Sequence, residues 1–303
     1  MANAIPVIVN ATAGKGYDET QIEAIAKAFE KTGAAIEIMP ARKGSDLPKL
    51  AEQAVKDGHP VIVGGGGDGT INAVACAVAG SGSTLGVLPL GTLNHFAKDL
   101  KIPLELEEAA RTIVANHRVE VDVAEVNGRI FVNNSSLGLY PELVRVRENQ
   151  RRRLGRSKWH ALLSATITVL QRHPMIDVRL DLDGEVESRR TPFVFIGNNE
   201  YQIEGFNVGS RARLDAGKLS IYLTRRRGRR GLLGLALRAL IGTLHQARDF
   251  EALTAQSVTI ATRHKAIPVA TDGEVTVMTI PLEYRIRPKA LRVIVPAPAP
   301  GAA

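Results

Sequence analysis

Within this 303-residue chain, the strongest constraint on the fold is the run Gly64-Gly65-Gly66-Gly67-Asp68-Gly69-Thr70. It follows the apolar stretch Val61-Ile62-Val63 and leads into Ile71, Val74, Ala75 and Val78, whose spacing predicts a helix. Glycines between a strand and a helix let the backbone come close to a ligand, and the helix N-terminus directs amides and a positive dipole at an anion. The run therefore reads as a phosphate cradle, because a tight turn alone needs one or two glycines rather than five. Asp68 would stand beside the phosphates, where further negative charge is useful only with a magnesium ion or in proton transfer.

Two common nucleotide-binding patterns do not fit. Gly64, Gly66 and Gly69 satisfy G-x-G-x-x-G, but the next strand ends Val87-Leu88-Pro89-Leu90-Gly91 without the acid that a dinucleotide site requires there. Around Gly14-Lys15-Gly16, Val9 stands where a Walker loop needs its first glycine, and Gly16 where it needs Ser or Thr.

The first third alternates short β-branched runs at 5–9, 35–39, 60–63 and 85–88 with helix-like stretches at 18–31, 46–56 and 70–79. That alternation predicts an α/β domain with a parallel sheet and ligands at the carboxyl ends of its strands. After about residue 118 the pattern changes to closely spaced strands at 119–126, 129–133, 177–182, 191–196 and 218–223. Asn127-Gly128 and Asp183-Gly184 serve as hairpin turns. An antiparallel β domain is expected over 119–287, with helical insertions near 158–171 and 232–248. Segment 288–297 is a candidate to rejoin the α/β domain of 1–118, and 298–303 reads as a disordered tail.

Charge and cysteine content narrow the setting. The formal charge of +8 favours anionic partners such as nucleotides or acidic membranes, and 4% aromatic residues leave little for nucleic-acid base stacking. The lone Cys76, expected in the core of the helix after the glycine run, excludes an intramolecular disulfide framework and fits a reducing, cytoplasmic location. The N-terminus has no basic n-region of a signal peptide, and the apolar stretch 231–244, interrupted by Arg238, is too short to span a bilayer. Arg151, Arg152, Arg153, Arg156 and Lys158, and again Arg225, Arg226, Arg227, Arg229 and Arg230, adjoin helix-like segments. Such basic segments suit peripheral docking on an anionic bilayer, and equally suit solvated charged loops beside core helices.

Two further loops fall at predicted strand ends, Asn10-Ala11-Thr12-Ala13-Gly14-Lys15-Gly16 and Pro89-Leu90-Gly91-Thr92-Leu93-Asn94-His95-Phe96-Ala97. With the glycine run they bring small residues and hydroxyl or amide donors to adjacent strand ends, as a nucleotide pocket requires. In that order, and together with Asn133-Asn134-Ser135-Ser136-Leu137-Gly138 and Thr271-Asp272-Gly273-Glu274, these segments resemble the catalytic domain of the diacylglycerol kinase and sphingosine kinase family. The likeness is greatest to its bacterial lipid kinase branch.

The resemblance implies an ATP-dependent lipid kinase, with an α/β nucleotide-binding domain, a β-sandwich domain and a lipid alcohol bound between them. The alternative within the same fold is a catalytically silent nucleotide- or lipid-binding regulator. ATP and magnesium are expected at Gly65, Gly66, Gly67, Asp68, Gly69, Thr70 and Asn72, with Asn10, Gly14, Gly91, Thr92 and Asn94 completing the nucleotide pocket. The carboxylate that accepts the lipid hydroxyl's proton falls at Glu274, with Asp272 its close competitor. Read from residues alone, Asp272-Gly273-Glu274 is a hairpin turn joining 268–270 to 275–280, and it is the resemblance that makes it a catalytic segment. Many relatives carry a structural magnesium at an Asp-Gly-x-Leu turn. Here Asp215-Ala216-Gly217-Lys218-Leu219 puts Ala216 in the ligand's place, so a site reduced to Asp215 is expected to be weak or absent. His95 reads as a scaffold residue of its loop.

Overall fold

β1 (Ile5–Asn10) buries Val7, Ile8 and Val9 completely enough to require cover on both faces, as in a parallel sheet flanked by helices. In the computed structural model, residues 4–10, 19–138, 175–204, 207–224 and 250–298 are described. The loop at 11–16 with Gly14, both arginine clusters, the helical insertions expected at 158–171 and 232–248, and the tail after 298 lie outside the described residues. Contacts divide the chain into two units, one of Met1–Val123 with Pro288–Ala303 and the other of Ala124–Arg287.

In the first unit, α1 (Glu19–Glu30), β2 (Ile36–Ala41), α2 (Leu47–Lys56), β3 (Val61–Gly66), α3 (Asp68–Val78) and β4 (Thr84–Pro89) follow β1 in strict alternation. The strands pair in parallel in the order β2-β1-β3-β4. α4 (His95–Asp99) and α5 (Leu106–Ala115) fill the stretch after β4, for which the sequence pattern offered no element. The chain leaves the unit within β5 (Arg118–Val126) and returns within β18 (Leu282–Ile294), whose end adds a fifth parallel strand through Arg292 opposite Thr84 and Val293 opposite Leu85. Because β2 is hydrogen-bonded outside β1 while β3 follows on its other side, the strand order reverses between β1 and β3. Open α/β sheets bind ligands at the carboxyl ends of the strands at such a point.

The second unit is antiparallel. One sheet has the order β14-β13-β10-β7-β16-β17, made by β7 (Asn134–Gly138), β10 (Phe193–Asn198), β13 (Leu219–Thr224), β14 (Phe250–Ala255), β16 (Ala266–Thr271) and β17 (Glu274–Thr279). Facing it are β8 (Ile176–Leu182), β9 (Glu185–Thr191), β15 (Ser257–Thr262) and the first part of β18. Leu137, Val194, Ile196, Ile221 and Val269 from one sheet and Leu180, Val258, Ile260, Leu282 and Tyr284 from the other form a single core. The alternation of buried and exposed residues along β14 and β8 is that of a sandwich. β5 and β6 (Arg129–Phe131) turn at Asn127-Gly128, β8 and β9 at Asp183-Gly184, and β16 and β17 at Asp272-Gly273. Both residues of each pair have positive φ, as a type I′ turn demands. β11 (Tyr201–Glu204) and β12 (Asn207–Arg211) form a separate two-stranded ribbon. No described helix is long and apolar enough to cross a membrane.

Candidate functional site

The glycine run is divided between two jobs. β3 continues through Gly64, Gly65 and Gly66, with Gly64 opposite Val87, Gly65 opposite Leu88 and Gly66 opposite Pro89. A Cβ on Gly65 would lie 2.9 Å from Val9 Cγ1, and one on Gly66 would lie 2.5 Å from Thr70 Oγ1. These two expected ligand-binding glycines are buried in the sheet and are required by packing. Gly91 is held just as closely, since its Cβ would stand 2.4 Å from Gly67 Cα. The turn after β4 therefore lies backbone to backbone on the turn after β3.

Gly69 is different. It is exposed, its backbone has no positive φ, and a Cβ there would meet no atom of the described residues within 4 Å. Neither the packing of the described residues nor the conformation requires glycine at this position. Gly67 is the N-cap of α3, and no side chain caps the helix there. Its carbonyl accepts from the amides of Thr70 at 2.9 Å and Ile71 at 3.1 Å. With those two amides engaged, the first turn directs the amides of Asp68 and Gly69 and the helix dipole outward, the arrangement that binds phosphate, with Asp68 the acidic side chain on it.

Asp68 opens α3 half-buried, and its Oδ1 accepts from the backbone amide of Phe96 at 3.4 Å. That contact ties the glycine turn to the start of α4. Asn94 holds the second turn together: its Oδ1 accepts from Gly91 N at 3.0 Å, while its Nδ2 donates to Gly91 O at 2.9 Å and to Pro89 O at 3.3 Å. Its buried amide is committed to the loop, and Asn94 itself takes the left-handed conformation. Thr92 and His95 are exposed on this turn. Thr70 is buried, Asn72 is half-buried and accepts from Cys76 Sγ at 3.6 Å, and Asn10 ends β1 half-buried. Cys76 is half-buried rather than fully in the core. The described residues among those expected to bind nucleotide thus gather at the ends of β1, β3 and β4.

In the second unit the two carboxylates of the Asp272-Gly273-Glu274 turn have opposite surroundings. Asp272 is pinned by three consecutive amides, Val132 N at 2.8 Å to Oδ2, and Asn133 N at 2.9 Å and Asn134 N at 3.0 Å to Oδ1. Burial pushes its carboxyl up to about 6, against the downward pull of those amides and of Arg211. Glu274, whose side chain is 68% exposed, pairs with Arg129 Nη2 at 2.7 Å. Arg129 Nη1 also donates to Thr276 Oγ1 at 2.6 Å. Glu274 is open to solvent, whereas Asp272 is largely consumed in holding its own turn.

Sequence reasoning missed Arg129, and it missed Arg211, which binds the same 132–134 segment from its other side. No local motif marks either residue, because both act on segments far away in the chain. At the expected structural metal turn, Arg213 occupies Asp215 with a fork, Nε to Oδ1 at 3.0 Å and Nη2 to Oδ2 at 3.3 Å. Ala216 N donates to Asn199 Oδ1 at 3.0 Å. Among the described residues no three His, Cys, Asp or Glu side chains group closely enough to hold a metal ion.

Residues 4–126 match the family model of the diacylglycerol kinase catalytic domain, and residues 140–295 match that of the YegS C-terminal NAD kinase beta sandwich-like domain. The chain is 24% identical over 222 residues to a diacylglycerol kinase of Staphylococcus carnosus (strain TM300), covering 73% of this chain and 72% of that one. It is 26% identical over 219 residues to a diacylglycerol kinase of Staphylococcus aureus (strain JH9), covering 72% and 69%. A solved structure of a candidate diacylglycerol kinase from Bacillus anthracis str. Sterne aligns over 97% of both chains with a TM-score of 0.75 and 26% identity.

Proposed function

As this chain belongs to the bacterial diacylglycerol kinase-like family of lipid kinases, we propose that it transfers the γ-phosphoryl group of ATP to the hydroxyl of a diacylglycerol-like or sphingoid lipid. The observation that carries the nucleotide half is the uncapped start of α3 beside the open Gly69, at the sheet's switch point. Phosphoryl transfer asks a protein mainly for alignment and charge neutralisation. The amides at the start of α3 bind phosphate oxygens, and Gly69 leaves them the space to approach. Asn94 and the close contact of Gly91 with Gly67 keep the two turns in fixed register.

Asp68 fits a magnesium ion by its chemistry, being a half-buried carboxylate beside amides that attract phosphate. Magnesium bound there with ATP would neutralise the charge of the phosphates. In the second unit, Glu274 accepts the proton of the acceptor hydroxyl and Arg129 orients its carboxylate. Asp272 holds the turn in place. Asp215, taken up by Arg213, has no part in this reading. The acceptor lies in a bilayer, and the formal charge of +8 favours peripheral contact with an anionic one from the cytoplasmic side.

The test is incubation with γ-labelled ATP and magnesium over a panel of vesicles containing diacylglycerol, sphingosine or phosphatidylglycerol. Label is expected in a lipid product of the diacylglycerol or sphingosine vesicles. ATP binding without label in any lipid would favour the silent regulator instead.

A further inference from the structure

Arg211 is only 5% exposed at the end of β12, far from the turn in sequence, yet both of its Nη atoms are engaged around that turn's foundation. Nη1 donates to Val132 O at 2.7 Å and to Asn198 O at 3.1 Å, and Nη2 donates to Asn133 Oδ1 at 2.8 Å. The guanidinium also lies over the ring of Tyr201, 5.3 Å from its centre. Asn198 supplements the grip, with Nδ2 donating to Val132 O at 2.9 Å and its backbone amide to Asn133 O at 2.9 Å.

Residues 132–134 are thus held from two sides. Their amides point into the carboxylate of Asp272, and the carbonyls of 132 and 133 point into Arg211 and Asn198. Asp272 N closes the arrangement by donating to Asn134 O at 2.9 Å. An isolated buried guanidinium is costly, and this one is offset by its carbonyl partners and by the charge of Asp272. The carboxylate of Glu274 is two residues further on, and its partner Arg129 belongs to the strand running directly into Val132.

We propose that Arg211 is a positioning residue for phosphoryl transfer: it braces segment 132–134, and through Asp272 it fixes where Glu274 meets the acceptor hydroxyl. The proposal rests on the kinase reading given above. A planar fork with donors in fixed directions is what the site uses, so Lys can replace the charge but not the brace. Arg211 is the charged group acting on Asp272, while Glu274 and Arg129, the next charged residues on the turn, pair with each other.

The experiment uses the full chain carrying Arg211→Gln or Arg211→Lys, with Leu180→Ala as a control that weakens the core of the same unit elsewhere. Hydrogen exchange at the amides of Val132, Asn133 and Asn134 reads the brace directly, without any substrate. Both Arg211 variants are expected to exchange there at least 10-fold faster, and Leu180→Ala not to do so selectively. Turnover with Mg-ATP and diacylglycerol vesicles, measured well below each unfolding midpoint, is expected to drop about 100-fold in Arg211→Gln with the KM for ATP unchanged, the scale of loss that follows small misplacement. Its acidic limb should move to higher pH, because Asp272 loses a nearby positive charge, and Arg211→Lys should restore that limb while kcat stays low. Unchanged exchange at 132–134, or a kcat loss no larger than that of Leu180→Ala, overturns the proposal. Absence of transfer by the unaltered protein would strike the kinase reading, and the exchange data would still decide whether Arg211 braces the segment.

Discussion

Asp272 and Glu274 are separated by one glycine, yet one carboxylate is pinned by three amides and the other is exposed against an arginine. For Asp272 the difference carries a signature in pH. Its folded value of about 6 lies above the ordinary carboxylate value near 3.9, so between those limits the folded chain keeps a proton that the unfolded chain releases. The stability this group contributes is full below about pH 4 and is lost as pH rises through 6. Asp272→Asn should remove that part of the slope and cost about 2 kcal/mol, since its NH2 group would face a backbone donor. Urea midpoints at pH 5 and pH 7.5 check this, and equal slopes in both proteins would contradict it. The sequence marked both carboxylates of the turn but could not rank them. The ranking depends on amides 138 to 140 positions away, and no local pattern encodes such a contact.

Among elements, the alternation in the first unit was legible because both-face burial leaves continuous apolar runs, and β1, β2 and β4 lie within two residues of their predicted limits. The end of β3 was not legible. Glycine weakens strands in isolation, so the expected strand stopped at Val63, but β1 carries the ladder on to Gly65 and β4 to Gly66. The same geometry separates glycines that pack from the glycine that leaves space. Gly91→Ala drives a methyl into the backbone of Gly67 and should lower stability by about 1–3 kcal/mol. Gly69→Ala meets no atom of the described residues and should leave stability equal or up to about 1 kcal/mol higher, as Ala is favoured in a helix. ATP affinity should nevertheless fall about 10-fold in Gly69→Ala. Thermal unfolding and ATP titration of the two variants together provide the check, and an undiminished affinity in Gly69→Ala would remove the cradle from the account. α5, by contrast, has an amphipathic pattern in Ala109, Ala110 and Ile113 that small alanines make faint in the sequence.

At the scale of the whole molecule, the change from helix-and-strand alternation to closely spaced strands revealed an α/β portion followed by an antiparallel one. The three Asx-Gly turns are the clearest local signals of the second. Strands β14, β15 and the first part of β18 escaped the sequence reading because none of them pairs across a short local turn. The account assigns nucleotide phosphates to the first unit and proton acceptance to the second, so damage to each should leave a different kinetic trace. The decisive measurement is labelled phosphate transfer from ATP to diacylglycerol vesicles by Asp68→Asn and Glu274→Gln, with ATP affinity taken on the same preparations. Asp68→Asn should lose both transfer and productive Mg-ATP binding, whereas Glu274→Gln should bind ATP normally and lose turnover by about 1000-fold, the scale of a missing general base. Transfer retained in Glu274→Gln, or ATP affinity lost in it, would contradict the division of labour on which the account rests.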